Sequence, residues 1–222
     1  MNHGPILRAI GNVQLLSSLL VVPPLTLSLY DRDGATLAFF DSFVILLTVG
    51  LALFLPTRRA HGELRLRDGF LVTTSVWIIT SLVLAIPLVI APPQLGYIEA
   101  LFEVVSGLTT TGSTVIVGLD ALPRSVLLYR ALLQFYGGLG IVVLAVAILP
   151  SLRVGGLQLT KGEVTGPMKN NKLTPRIRDT AAALWVIYVG LNIACILAYW
   201  AAGMNFFDAL CHGFTTVATS GF

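Results

Sequence analysis

Two short runs of threonine, serine and glycine carry the chemistry of this chain: Thr110-Thr111-Gly112-Ser113 and Thr219-Ser220-Gly221-Phe222. Displacing the sequence by 109 positions lays one on the other without a gap, with Gly112 on Gly221, Thr110 on Thr219 and Ser106 on Thr215. The register extends upstream, where Glu99, Ala100 and Leu101 meet Asp208, Ala209 and Leu210. A strand-like segment of this kind can turn its backbone carbonyls toward an axis and replace the hydration shell of a cation. Gly112 and Gly221 permit backbone angles that a side chain would forbid. The sequence contains no HExxH, GxSxG or phosphate-loop pattern, so an enzyme is not expected. Cys195 and Cys211 lie in apolar stretches; two cysteines make no metal framework, and no disulfide or cofactor is expected.

Each run needs an element that delivers it to the middle of a membrane. Of 222 residues, 55% are hydrophobic and 11% charged, against about 25% charged in a soluble domain, and the mean hydropathy is +0.85. Apolar stretches predict spanning helices over residues 6–29, 36–55, 69–90, 123–149 and 180–200, the first kinked at Pro23-Pro24 and the second ended by Pro56. Residues 96–108 and 206–217 are helical in character but too short to span; at 1.5 Å per residue they reach roughly 20 Å, to mid-membrane. Each leads into one of the two polar runs and follows a spanning helix that begins after an Arg-Asp pair, Arg67-Asp68 or Arg178-Asp179. The repeat is therefore parallel. Non-helical backbone at membrane depth is tolerated only where protein or a watery cavity surrounds it. The C-terminal end of a half-membrane helix carries partial negative charge, which favours a cation. One such segment could be an interfacial helix with an ordinary turn; two in register on one side favour re-entrant pore helices.

Charge sets the orientation. Arg8, the loop at 57–68 (Arg58, Arg59, Arg65, Arg67) and the loop at 151–179 (Arg153, Lys161, Lys169, Lys172, Arg176, Arg178) hold 11 of the 14 basic residues. Alternate crossings put all three on one side, which the positive-inside rule makes cytoplasmic, with the N-terminus. The opposite face carries Asp31, Asp33, Asp41, Glu99, Glu103, Asp120 and Asp208. It either concentrates external cations or merely reflects where basic residues are not tolerated. The expected division is a hairpin and basic loop at 1–68, a first helix–pore loop–helix unit at 69–150, a cytoplasmic loop at 151–179 and a second unit at 180–222, cut after its filter.

Arg130 falls inside an apolar helix two turns from its outer end, and pairing with Glu103 on the first pore helix would brace the filter. Gly137, Gly138 and Gly140 read as close-packing positions, or alternatively as a hinge. His212 reads as a hydrogen-bond donor on the second pore helix. Trp77, Trp185 and Trp200 read as packing or interfacial anchors.

The stretches Gly107-Leu108-Thr109-Thr110-Thr111-Gly112-Ser113-Thr114, Tyr136-Gly137-Gly138-Leu139-Gly140-Ile141 and the run from Gly166-Pro167-Met168 to Thr174-Pro175-Arg176 resemble the Trk/Ktr/HKT superfamily of potassium transporters. The hairpin before the first unit is closer to the TrkH branch than to KtrB. The resemblance covers nearly the whole chain. It implies an all-α polytopic membrane protein with repeated helix–re-entrant pore helix–helix units, potassium-channel-like. Four units build one pore, and this chain would supply about the first half of it, for potassium uptake across the bacterial inner membrane. The implied filter residues are Thr110, Thr111, Gly112 and Ser113, then Thr219, Ser220, Gly221 and Phe222. K+ would sit at Thr111, Gly112, Ser220 and Gly221, with Glu103 and Arg130 as filter support. Gly112, where a serine is associated with sodium transport in the plant branch, favours potassium. A homodimer, membrane lipid and a TrkA-like cytoplasmic nucleotide-binding ring are the implied partners; docking of the ring falls on 161–178. Nucleic acid is not an expected partner. The alternatives are a secondary transporter of another cation such as sodium, or a non-conducting assembly subunit.

Overall fold

The computed structural model describes residues 3–60, 66–148 and 173–222, and every regular element among them is helical. The helices are α1 (His3–Leu20), α2 (Val22–Asp31), α3 (Thr36–Thr57), α4 (Leu66–Leu84), α5 (Ile86–Ile90), α6 (Tyr97–Leu108), α7 (Arg124–Ile148), α8 (Leu173–Ala201) and α9 (Phe206–Val217). A 3-10 turn, Leu119–Ala121, lies between α6 and α7. Among the described residues, four segments are long and apolar enough to cross a bilayer: Gly4–Asp31, Thr36–Thr57, Asp68–Ile90 and Ala181–Ala201. The fifth expected span corresponds to α7, which is 25 residues long.

Proline explains where the helices depart from expectation. Its ring clashes with the carbonyl four residues upstream, but in a first helical turn it costs nothing. The chain therefore breaks before the proline. The kink expected at Pro23-Pro24 falls at Val21, and both prolines enter the first turn of α2. The helix expected over 69–90 is split at Ala85, with Pro87 in the first turn of α5. Pro56 does not end α3 at residue 55. The helix continues to Thr57, whose hydroxyl donates to the Leu53 carbonyl at 2.6 Å. α8 starts at Leu173 rather than at 180 and takes Pro175 in its first turn, so the loop expected over 151–179 is shorter. The basic residues Arg65, Arg153, Lys161, Lys169 and Lys172 lie outside the described residues.

Packing centres on α7. Buried Phe39, Leu84, Leu88, Val104, Tyr129 and Leu133 form the core with it, and the Phe39 and Tyr129 rings meet edge-on at 5.3 Å. The three α7 glycines face three different helices. A Cβ on Gly137 would lie 2.0 Å from the Leu108 carbonyl oxygen of α6. One on Gly138 would lie 2.5 Å from the Tyr188 hydroxyl of α8. One on Gly140 would lie 3.8 Å from Trp77 of α4. Gly137 and Gly138 are close-packing positions, as small residues between membrane helices commonly are. Trp185 and Trp200 on α8 are exposed, whereas Trp77 packs against the core.

At one end of the bundle, Arg8 donates to the Ala60 carbonyl at 3.3 Å. At the other, the α2–α3 turn is tied to the start of α7. Asp33 accepts from the hydroxyls of Ser28 and Ser125 and from the Ala35 N–H, the last at 3.0 Å. Arg124 lies 3.6 Å from Asp31 and stacks over the Phe207 ring of α9 at 4.5 Å.

Candidate functional site

The two short helices coincide under the 109-residue displacement, Tyr97–Leu108 on Phe206–Val217. Their first turns are capped at equivalent positions. Glu99 accepts from the Gly96 N–H at 3.2 Å, and the Asn205 side chain accepts from the Asp208 N–H at 2.9 Å. An acidic residue in each first turn offsets the positive helix end.

Their C-terminal ends match bond for bond. Thr110 N–H donates to Gly107 O at 3.0 Å and Thr111 N–H to Ser106 O at 2.9 Å; Thr219 N–H donates to Thr216 O at 2.9 Å and Ser220 N–H to Thr215 O at 3.2 Å. This is a Schellman cap, which needs a left-handed residue just past the helix. The residue used is Thr110 at φ 55° and Thr219 at φ 58°, where a β-branched side chain is an outlier. Gly112 and Gly221 then take φ 76° and 69°. Neither run continues its helix, and Thr111, Ser113, Thr219 and Gly221 are exposed.

The two runs touch. A Cβ on Gly112 would lie 1.8 Å from the Ser220 carbonyl oxygen. Two of the residues expected to hold the cation, one from each unit, are thus adjacent. Gly221 has open space around it.

Behind them is a buried charge pair. Arg130 Nη2 and Nε donate to Glu103 Oε1 at 2.6 and 2.9 Å, with side-chain exposures of 5% and 0%. Glu103 also accepts from the Thr114 hydroxyl at 2.9 and 3.0 Å and from the Val115 N–H at 3.1 Å. A carboxylate on α6 therefore fixes the chain just after Gly112. Arg130 Nη2 makes a further bond to Thr114 Oγ1 at 3.1 Å, and its guanidinium lies 4.3 Å from the Phe222 ring centroid. His212 lines a cavity of about 230 Å³ with Arg130, Asp120 and Asp208.

Sequence reasoning missed the outer ties of Asp33 and Arg124 and the ring contact of Phe222. Burial pushes the Asp33 carboxyl up, but the donors Ser125, Ser28 and Ala35 outweigh it and hold it below its ordinary value. Ser125 lies 92 residues from Asp33 in sequence and is ordinary in type, so no motif announces it. The free thiols of Cys195 and Cys211 form no disulfide.

An all-helical bundle with several apolar helices of bilayer length, and two capped half-length helices ending in matched turns, defines a multi-pass membrane protein of the transport class. The family model for TrkH, described as cation transport protein, matches residues 35–222, and the chain belongs to that family. It is 51% identical over 218 residues to the Trk system potassium uptake protein TrkH of Halomonas elongata, covering 98% of this chain and 45% of that protein. It is 48% identical to TrkH of Escherichia coli K12 over 223 residues, covering 100% of this chain and 46% of that protein. The crystal structure of the potassium transporter TrkH from Vibrio parahaemolyticus superposes with a TM-score of 0.85 at 44% identity, covering 100% of this chain and 44% of that one. The chain spans about half the length of the curated relatives it matches.

Proposed function

We propose that this chain is the first half of a potassium-uptake pore in the bacterial inner membrane, with its N-terminus in the cytoplasm. The observation that carries this reading is the repeated turn: two half-length helices end in the same strained cap, and the segments beyond them meet at Gly112 and Ser220. Thr110 to Ser113 and Thr219 to Phe222 are the first two filter segments, with K+ on the carbonyls of Thr111, Gly112, Ser220 and Gly221. Carbonyl rings of this kind replace a hydration shell, and the negative ends of α6 and α9 favour the ion. Glu103 and Arg130 support the first filter through Thr114. Two segments cannot encircle an ion, so the remaining two come from the rest of the parent protein. A homodimer of that parent, carrying a TrkA-like nucleotide-binding ring on its cytoplasmic face, is the assembly that fits.

The test is potassium uptake in a bacterium lacking its own uptake systems, with the parent, this chain alone and the parent carrying Gly112→Ser. The parent restores growth at low potassium, Gly112→Ser loses potassium preference, and this chain alone does neither. Unchanged selectivity in Gly112→Ser would sink the filter assignment. Transport by this chain alone would sink the four-unit pore.

A further inference from the structure

The two units differ at the position of the buried carboxylate. In the 109-residue register His212 stands where the first unit has Glu103, and Phe222 where it has Ser113. The second filter therefore has no buried carboxylate at that position to engage an arginine. What it offers instead is a ring. Phe222 lies 4.3 Å from the Arg130 guanidinium, and its Cε2 is 3.5 Å from where a Cβ on Gly107 would stand. The ring thus rests on the first unit's pore helix and on the first unit's arginine.

A guanidinium can serve both partners at once. Its N–H groups lie in the plane and donate at the edge, while its face is free to stack. Arg130 donates its N–H groups to Glu103 and Thr114 while its central carbon lies over the Phe222 ring. With only 5% of its side chain exposed, the cation is largely dehydrated, the condition in which attraction to a ring is strongest. A lysine ammonium lacks the planar fork that lets Arg130 place two N–H groups on Glu103.

We propose that Arg130 is a shared tie between two pore units, and that Phe222 is the positioning residue through which it sets the second filter. The first filter is held by charge and hydrogen bonds, the second by its aromatic ring on the same cation. Displacing one filter then displaces the other through a single side chain. This rests on the filter reading proposed above.

The experiment measures potassium-over-sodium preference of the full-length parent in the uptake-deficient bacterium, normalised to membrane abundance. The variants are Phe222→Leu, Phe222→Trp, Arg130→Gln, the double variant Arg130→Gln with Phe222→Leu, and Gly112→Ser. Phe222→Leu should lower the preference by about fivefold or more, and Phe222→Trp should stay within about twofold of the parent, because only the ring is retained. In the Arg130→Gln background, Phe222→Leu should add less than about twofold, since its partner is gone. If Phe222→Leu matches the parent while Gly112→Ser shifts selectivity, Phe222 positions nothing and the filter reading stands. If Phe222→Leu acts as strongly without Arg130 as with it, the tie is refuted. Unchanged selectivity in Gly112→Ser as well would overturn the filter reading and this inference with it.

Discussion

The Glu103–Arg130 pair offers a quantitative test of how the segment after Gly112 is held. Glu103 is 0% exposed and Arg130 5%. Arg130→Gln leaves the carboxylate with Thr114 and Val115 as donors but without a counter-charge. Glu103→Gln leaves a buried guanidinium with the Thr114 oxygen and the Phe222 ring. Stranding one member of a buried pair costs about 3–5 kcal/mol. Were the two sites independent, the double variant would lose roughly 6–10 kcal/mol. The double Gln variant buries no charge, so it should cost no more than either single change. The coupling is then about 3–5 kcal/mol, at or above the upper end for residues in contact. Unfolding free energies of the parent, both single variants and the double, purified in mixed micelles, give this number directly. A double variant that loses the full sum would show that the two side chains do not depend on each other, and the argument for a shared support would fail.

Two further outcomes follow from the geometry. Gly137→Ala places a Cβ 2.0 Å from the Leu108 oxygen and must push the end of α6 outward, lowering both uptake and the melting temperature of the parent. Gly140→Ala, whose nearest neighbour is 3.8 Å away, should change neither in the same assays. Asp33 has a folded-state pKa below its ordinary value of 3.8, so its contribution is fully present above 3.8 and is lost as pH falls from there through the lower folded-state value. Asp33→Asn should cost about 1–2 kcal/mol at neutral pH and flatten the acid limb of a stability–pH curve; an unchanged limb would refute the tie to Ser125.

What was legible in the residues was local. The bounds of α6 and α9 could be read because their caps, Gly96 with Glu99 and Asn205 with Asp208, are short-range signals repeated in register. Arg130 pointed to Glu103 because a cation in an apolar helix needs an anion at its own depth. The break at Val21 was misplaced and the one at Ala85 not foreseen because proline excludes itself from a helix interior while fitting its first turn. Its position bounds the break and does not locate it. Asp33 with Ser125, Ser17 with Tyr136 at 2.8 Å and Arg130 with Phe222 are contacts across long stretches of chain between common residue types. Only the packed bundle reveals them.

The threonines at φ 55° and 58° are the strongest argument for the proposal that the repeated runs are functional. A Schellman cap is met most cheaply by glycine, and a left-handed L-residue costs about 1–2 kcal/mol. Each unit has a glycine two residues further on, at Gly112 and Gly221, yet places threonine at the cap. An ordinary helix end has no reason to carry that cost, and still less to carry it twice at one register. Glycine at the cap would leave the segment free to swing between both signs of φ. Threonine held there by its bond to Gly107 or Thr216 has one arrangement while the cap is intact and relaxes away from it when the cap opens. Strain of this kind persists only where the surroundings over-determine it. Here those surroundings are the Leu108 carbonyl pressed on Gly137 and the Glu103 anchor on Thr114 and Val115. The carbonyls that follow are thereby held in place in advance, as the proposed filter requires.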